Sequence, residues 1–165
     1  MPEKILILNN KKEEKFLRKG TKEVNFEKER RSEFSSIILR MRKTMRLARG
    51  IGLSANQIGL NLRLFVAEVP DSEGNLKFYA VFNPKLEKIG KEKAALEEGC
   101  LSVPETYGLV ERPGRVLLTG FDKNGRPVKI KAWGILARVF QHEIDHLDGK
   151  LFIDRTKQIY KTEKK

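Results

Sequence analysis

His142-Glu143-Ile144-Asp145-His146 places two imidazoles four residues apart. On a helix that spacing stacks them one turn apart on one face, where both reach a single ion. Glu143 stands beside the first of them, close enough to meet a water on that ion without ligating it. The pattern is short, and an ordinary exposed helical face produces it by chance. Two features of the composition strengthen it: the chain's 2 histidines both lie in it, and its single cysteine is Cys100, in Glu97-Glu98-Gly99-Cys100-Leu101-Ser102. A lone cysteine is ordinarily a small buried hydrophobe. Here Cys100, His142 and His146 make up the chain's strong sulfur and nitrogen donors, and a three-ligand set leaves a tetrahedral ion one open position for water. That is the arrangement of a hydrolytic ion rather than a structural one.

A zinc peptidase would draw its third ligand from further along the chain. Gly149 falls where an extended motif carries its glycine, but Phe152 occupies the ligand position, leaving Asp148, Asp154 and Glu163 as acids. The peptidase reading stays open without an obvious ligand. A second segment, Gly50-Ile51-Gly52-Leu53-Ser54-Ala55-Asn56-Gln57, supplies glycines that admit a ligand close to backbone and a glutamine amide able to donate to a developing oxyanion. It lacks the Lys-Ser/Thr ending of a phosphate loop, and a plain turn is the simpler alternative.

These residues need elements to hold them. Phe34, Ile37, Ile38, Met41, Met45 and Ala48 recur at helical spacing with arginines and Lys43 between, which predicts an amphipathic helix over 34–48 stopped by Gly50 and Gly52. Strand-like runs cover 62–69, 76–82, 116–121 and 127–132, with a loop over 70–75 and an Asn-Gly hairpin turn at 122–125. Helical spacing returns from Gly134 to Leu147, with Gly149 as the cap. A helix, consecutive antiparallel strands, then a helix predict an α+β fold, a single domain over 1–165 whose C-terminal helix carries the metal motif.

The formal net charge is +12, and its distribution bears on partners. Residues 1–50 hold 15 Lys/Arg against 7 Asp/Glu, residues 155–165 hold 5 against 1, and the stretch between holds 14 of each. The excess sits wholly at the two ends, either as a solvated surface or as a docking surface for an RNA-rich partner. No apolar run approaches the roughly 20 residues of a membrane span, and no secretory signal opens the chain. One cysteine makes no internal disulfide. These point to a bacterial cytoplasm, with an organellar stroma or matrix as the lesser alternative.

Taken together, Gly50–Gln57, Glu98–Ser102 and Gln141–His146 resemble the three motifs of the peptide deformylases, in the family's order and at similar separations. The resemblance runs from about Met41 to Arg155 and includes Arg138-Val139-Phe140. It implies removal of the formyl group from nascent polypeptides that begin with formyl-methionine. It assigns one divalent ion to Cys100, His142 and His146, with ferrous iron as the native metal and zinc, nickel or cobalt as substitutes. It makes Glu143 the general base and acid, and the Gln57 side chain and Leu101 backbone N–H the oxyanion donors. By the same resemblance Ile51 and Val139 wall the methionine pocket, and backbone around Gly52 aligns the peptide.

The chain also departs from the family's pattern. Ser54-Ala55 replaces two alanines, Tyr107 stands where a basic or aromatic residue is usual, the segment Lys11–Glu33 is unusually charged, and only eleven residues follow Asp154. Two other functions remain: the zinc peptidase, and a deformylase-like protein without catalysis that binds ribosomal RNA through its basic ends. The sequence is silent on oligomeric state.

Overall fold

The computed structural model describes residues 2–162. Its elements run α1 (Lys11–Arg18), α2 (Arg31–Leu47), β1 (Gly52–Ser54), β2 (Leu64–Pro70), β3 (Leu76–Lys88), β4 (Lys93–Cys100), β5 (Val103–Pro113), β6 (Arg115–Phe121), β7 (Pro127–Trp133), α3 (Gly134–Leu147) and β8 (Ile159–Lys161), with 3-10 turns at Ala55–Ile58 and Phe152–Asp154. All strand pairs are antiparallel, in a five-stranded sheet of order β1-β2-β3-β6-β7 and a three-stranded sheet of order β4-β5-β8. This is the predicted α+β layout, with the helix bearing His142 and His146 near the C-terminus.

The large sheet is covered on both faces, and β2 shows why. Its residues Leu64 to Val69 are all buried. Phe65, Ala67 and Val69 turn toward α3, where they join Phe140, Ile144 and Leu147. Leu64 and Val66 turn the other way, into a cluster with Phe34, Met41 and Met45 of α2. Strand side chains alternate faces, so a strand sandwiched between two helices reads as one continuous apolar run. Phe140 anchors α3 on the sheet, packing edge-on to Tyr79 with ring centroids 5.4 Å apart.

Both long helices end in the same hydrogen-bonding motif. Past α2, Gly50 N–H returns to Met45 O (2.9 Å) and Arg49 N–H to Arg46 O (3.0 Å). The left-handed residue there is Arg49, with φ 59°, rather than either predicted glycine. Past α3, Gly149 takes that role at φ 77°. A Cβ on Gly149 would stand 2.3 Å from Arg18 O, so the position also lets α1 dock against the end of α3.

The middle of the chain holds more strand than its spacing predicts. β3 continues to Lys88 through an irregularity between Phe82 and Lys85, and the β4–β5 hairpin forms outside the predicted strand-like runs. α1 lies in the charged N-terminal segment and buries Leu17 alone.

Candidate metal centre and its pocket

The two sheets each present an edge strand to the site: β1 ends the large sheet and β4 the small one. α3 crosses between them, packed against β1 and β2 and touching β5. Cys100 closes β4, Leu101 follows in the turn to β5, Gln57 sits in the 3-10 turn after β1, and α3 brings Val139, His142, Glu143 and His146. Apart from His146, which is only 1% exposed behind it, all of these, with Ile51 and Gly52, line one cavity of about 510 Å³.

Cys100 Sγ lies 3.2 Å from His146 Nε2, which lies 3.1 Å from His142 Nε2. The ligand atoms of the three residues fall within 4.8 Å of one another, so one ion can be bound by all three. Orientation comes from behind. Glu98 Oε1 is 2.9 Å from His142 Nδ1, which fixes the proton on Nδ1 and turns the Nε2 lone pair to the site. Ser102 N–H donates to Cys100 Sγ (3.4 Å), and Asn56 Nδ2 donates to His146 O (2.6 Å).

Glu98 is itself held in a buried lattice of charge. Arg112 donates to both of its oxygens (2.6 and 2.9 Å), and Arg138 donates to Oε2 (2.5 Å). Arg112 also reaches Asp145 (2.9 Å), and Arg155 grips both Asp145 oxygens (2.5 and 2.6 Å). Burial alone would raise the Glu98 carboxyl, but Arg112 and His142 hold it well below the usual carboxylate range. Burial also works against charge on His142, yet its hydrogen bonds to Cys100 and Glu98 push it up to about 10. His146 moves the other way, through burial and the positive charges of His142 and Arg112.

Glu143 is buried, and among the described residues its Oε2 finds no hydrogen-bond partner. An orphaned carboxylate oxygen is costly unless a donor reaches it. A water on an ion held by Cys100, His142 and His146 meets that need, so the residues fit a catalytic ion. Burial pushes Glu143 up to about 7, the poise of a group that takes and returns a proton near neutrality. Gln57 Oε1 accepts from the Ser54 N–H and hydroxyl, both at 3.0 Å. That turns Nε2 toward Ser102 Oγ (3.0 Å) and Cys100 Sγ (3.8 Å), presenting an amide donor beside the donor set.

Glu98, Arg112, Arg138, Asp145 and Arg155 were not picked out from the sequence as site residues. One signal existed for Arg112. Thr106, Gly108, Val110 and Arg112 alternate inward along β5, and an arginine in a buried register requires a carboxylate partner.

Nitrogen and sulfur donors converging beside a carboxylate with one unpartnered oxygen, at the floor of an open pocket, define a metal-dependent hydrolase. A family profile described as Polypeptide deformylase matches residues 3–162. Peptide deformylase 2 of Gloeobacter violaceus is 42% identical over 142 residues, 86% of this chain and 74% of that protein. Peptide deformylase 1 of Streptomyces avermitilis is 42% identical over 127 residues, where the match spans 75% of this chain but 59% of the longer relative. Among solved structures, the Synechococcus elongatus peptide deformylase in complex with actinonin superposes with a TM-score of 0.82 at 38% identity, covering 95% of this chain and 80% of that one. A probable peptide deformylase from Synechococcus phage S-SSM7 matches with a TM-score of 0.82 at 37% identity, covering 93% and 99%. The chain belongs to the polypeptide deformylase family. It is an enzyme, and its reaction is deformylation of polypeptides.

Proposed function

We propose that the chain hydrolyses the formyl group of formyl-methionyl nascent polypeptides, with Glu143 as the proton carrier at an ion held by Cys100, His142 and His146. The observation that carries this reading is the orphaned Glu143 Oε2 beside that donor set. Glu143 takes a proton from water as the water oxygen adds to the formyl carbon. Gln57 Nε2 and the Leu101 backbone N–H donate to the oxygen as it gains charge, an effect worth roughly 10²–10³ in rate per donor. Glu143 then returns the proton to the amine nitrogen, the C–N bond breaks, and formate and a free N-terminus remain. When bound, the ion supplies Lewis acidity, which acidifies water and polarises the formyl oxygen. Imidazole and thiolate donors suit several divalent metals. Ferrous iron is the assignment here on family resemblance, and metal analysis of anaerobically purified protein tests it.

Ile51, Gly52 and Val139 line the same cavity, and the methionine side chain packs against Ile51 and Val139. The open edge of β1 at Gly52 aligns the peptide as an added strand. Formate release from formyl-Met-Ala, set against cleavage of acetyl-Met-Ala, is the test. Release from the formyl peptide alone is expected, and cleavage of an unformylated peptide bond would favour the zinc peptidase.

Location follows from charge. Lys11, Lys12, Lys15 and Lys19 of the α1 region are exposed, and Arg18 pairs with Asp154 at 2.5 Å, which joins this segment to the base of the basic C-terminal stretch. Lys157 and Lys161 are exposed there, while Lys164 and Lys165 lie outside the described residues. These two segments dock the enzyme on ribosomal RNA in a bacterial cytoplasm, with affinity that falls steeply with salt. No helix among the described residues is long and apolar enough to cross a membrane. Replacing the four tail lysines with glutamine should weaken cosedimentation with ribosomes. Absence of binding by the unaltered protein at low salt would end this part of the reading.

A further inference from the structure

The three-stranded sheet carries a row of side chains that the reaction chemistry leaves unused. Gly99 of β4 lies opposite Tyr107 of β5, and Tyr107 lies opposite Tyr160 of β8. Directly opposed residues in antiparallel strands project to the same face, so Gly99, Tyr107 and Tyr160 form one line across the sheet. That line begins next to Cys100 and continues outward from the cavity, whose wall includes Gly99, Tyr107 and Glu97.

Glycine at 99 is what lets the first ring lie down. A Cβ there would stand 2.9 Å from Tyr107 Cε1, closer than real Cβ contacts allow, so any larger residue would lift the ring off β4. Tyr160 continues the surface, with its ring stacked beside that of Tyr107 at 27° and 6.0 Å between centroids. The Tyr160 hydroxyl donates to Glu97 and pins the ring back toward β4. Despite these contacts Tyr160 is 47% exposed. An aromatic side chain anchored at its hydroxyl and open on its face is built to receive an apolar group.

We propose that Tyr160, brought back to the pocket by the C-terminal strand, completes with Tyr107 an aromatic ledge that selects the third residue of the formylated peptide. This rests on the deformylase reading and deepens it. The position follows from reach: the Tyr160 ring lies 6.0 Å beyond the Tyr107 ring that borders the cavity, about the advance of two residues of extended chain past the methionine. A large apolar or aromatic third side chain is favoured, because it can cover both rings. Tyr160 touches no reacting atom, so its contribution lies in binding.

The test compares formyl-Met-Ala-Phe with formyl-Met-Ala-Gly, using the full chain loaded with metal. The unaltered enzyme should prefer the Phe peptide by about fivefold in kcat/KM, the scale of one aromatic pair, with the difference carried by KM. Tyr160→Ala should bring that ratio close to one. Tyr160→Leu, which keeps an apolar side chain in the strand without a ring face, should do the same even if Tyr160→Ala loosens β8. Tyr160→Phe should keep the preference. An enzyme that shows no third-residue preference, or a Tyr160→Leu variant that retains it, overturns the proposal while leaving deformylation intact. No formate from either peptide would instead overturn the deformylase reading, and this proposal with it.

Discussion

Gly52 and Glu143 are in contact: a Cβ built on Gly52 would stand 2.5 Å from Glu143 Oε1 and 2.9 Å from its carboxyl carbon. The glycine on the edge strand thus leaves room for the carboxylate of the helix, besides any role it has in aligning peptide. Gly52→Ala should fold, because the obstructing atoms are the end of a side chain that can swing aside. Swinging aside is what removes the base from its place. Turnover should fall by about 10²-fold, the scale of a misplacement of about 1 Å, with metal content unchanged. A Gly52→Ala enzyme with normal kcat would show that Glu143 works from another position.

Glu98 orients His142 and is oriented by Arg112 and Arg138. Replacing the carboxylate that holds a ligating imidazole typically costs about 10- to 100-fold in metal affinity. Glu98→Gln should show that loss in competition with a chelator. Equal affinity in the two proteins would mean that the ion does not depend on the tautomer Glu98 imposes.

How far the sequence could be read followed from how local each signal is. The two imidazoles of α3 sit four residues apart, and the amphipathic spacing of α2 is equally local, so both were legible. The β4–β5 hairpin was not. β4 is exposed from Lys93 to Glu97, and its Lys-Ala-Ala-Leu-Glu-Glu run carries no apolar alternation of its own, so it is a strand because β5 pairs with it. The Arg112 lattice was hidden for a related reason: its partners Glu98 and Asp145 lie 14 and 33 residues away, a distance no periodicity encodes. Arg49, in place of a glycine, closes α2 because the orphan carbonyls of the last turn require a left-handed residue whatever its identity.

Glu68 ties β2 to α2 through hydrogen bonds from Arg46 (2.7 and 2.9 Å) and Arg42 (3.0 and 2.5 Å). Arg46 first, and Arg42 with it, lower the Glu68 carboxyl against the opposing effect of burial. A depressed carboxylate contributes stability that is complete above its unfolded pKa of about 4.3 and is lost as pH falls through the lower folded value. Glu68→Gln should therefore be less stable than the unaltered protein at pH 7, by about 1 kcal/mol given the half-exposed arginines. The gap should close below pH 4. Thermal unfolding at both pH values checks this, and a gap that widens in acid would contradict it.

Cys100 and Ser102 separate ligation from support. Cys100→Ser should lose most of its metal on dialysis, because it removes the soft donor of the set. Ser102→Ala should keep the metal and slow turnover modestly, since Ser102 Oγ only accepts from Gln57 Nε2. Equal metal content in Cys100→Ser and the unaltered protein would remove the cysteine from the ligand set.

The assignment of Glu143 as proton carrier and not ligand is tested most directly by one preparation of Glu143→Ala, assayed for bound metal and for formate released from formyl-Met-Ala. The expected result is one ion per chain with kcat reduced by at least about 10²-fold, the range of a positioned acid and base. Undiminished formate release from that variant would contradict it.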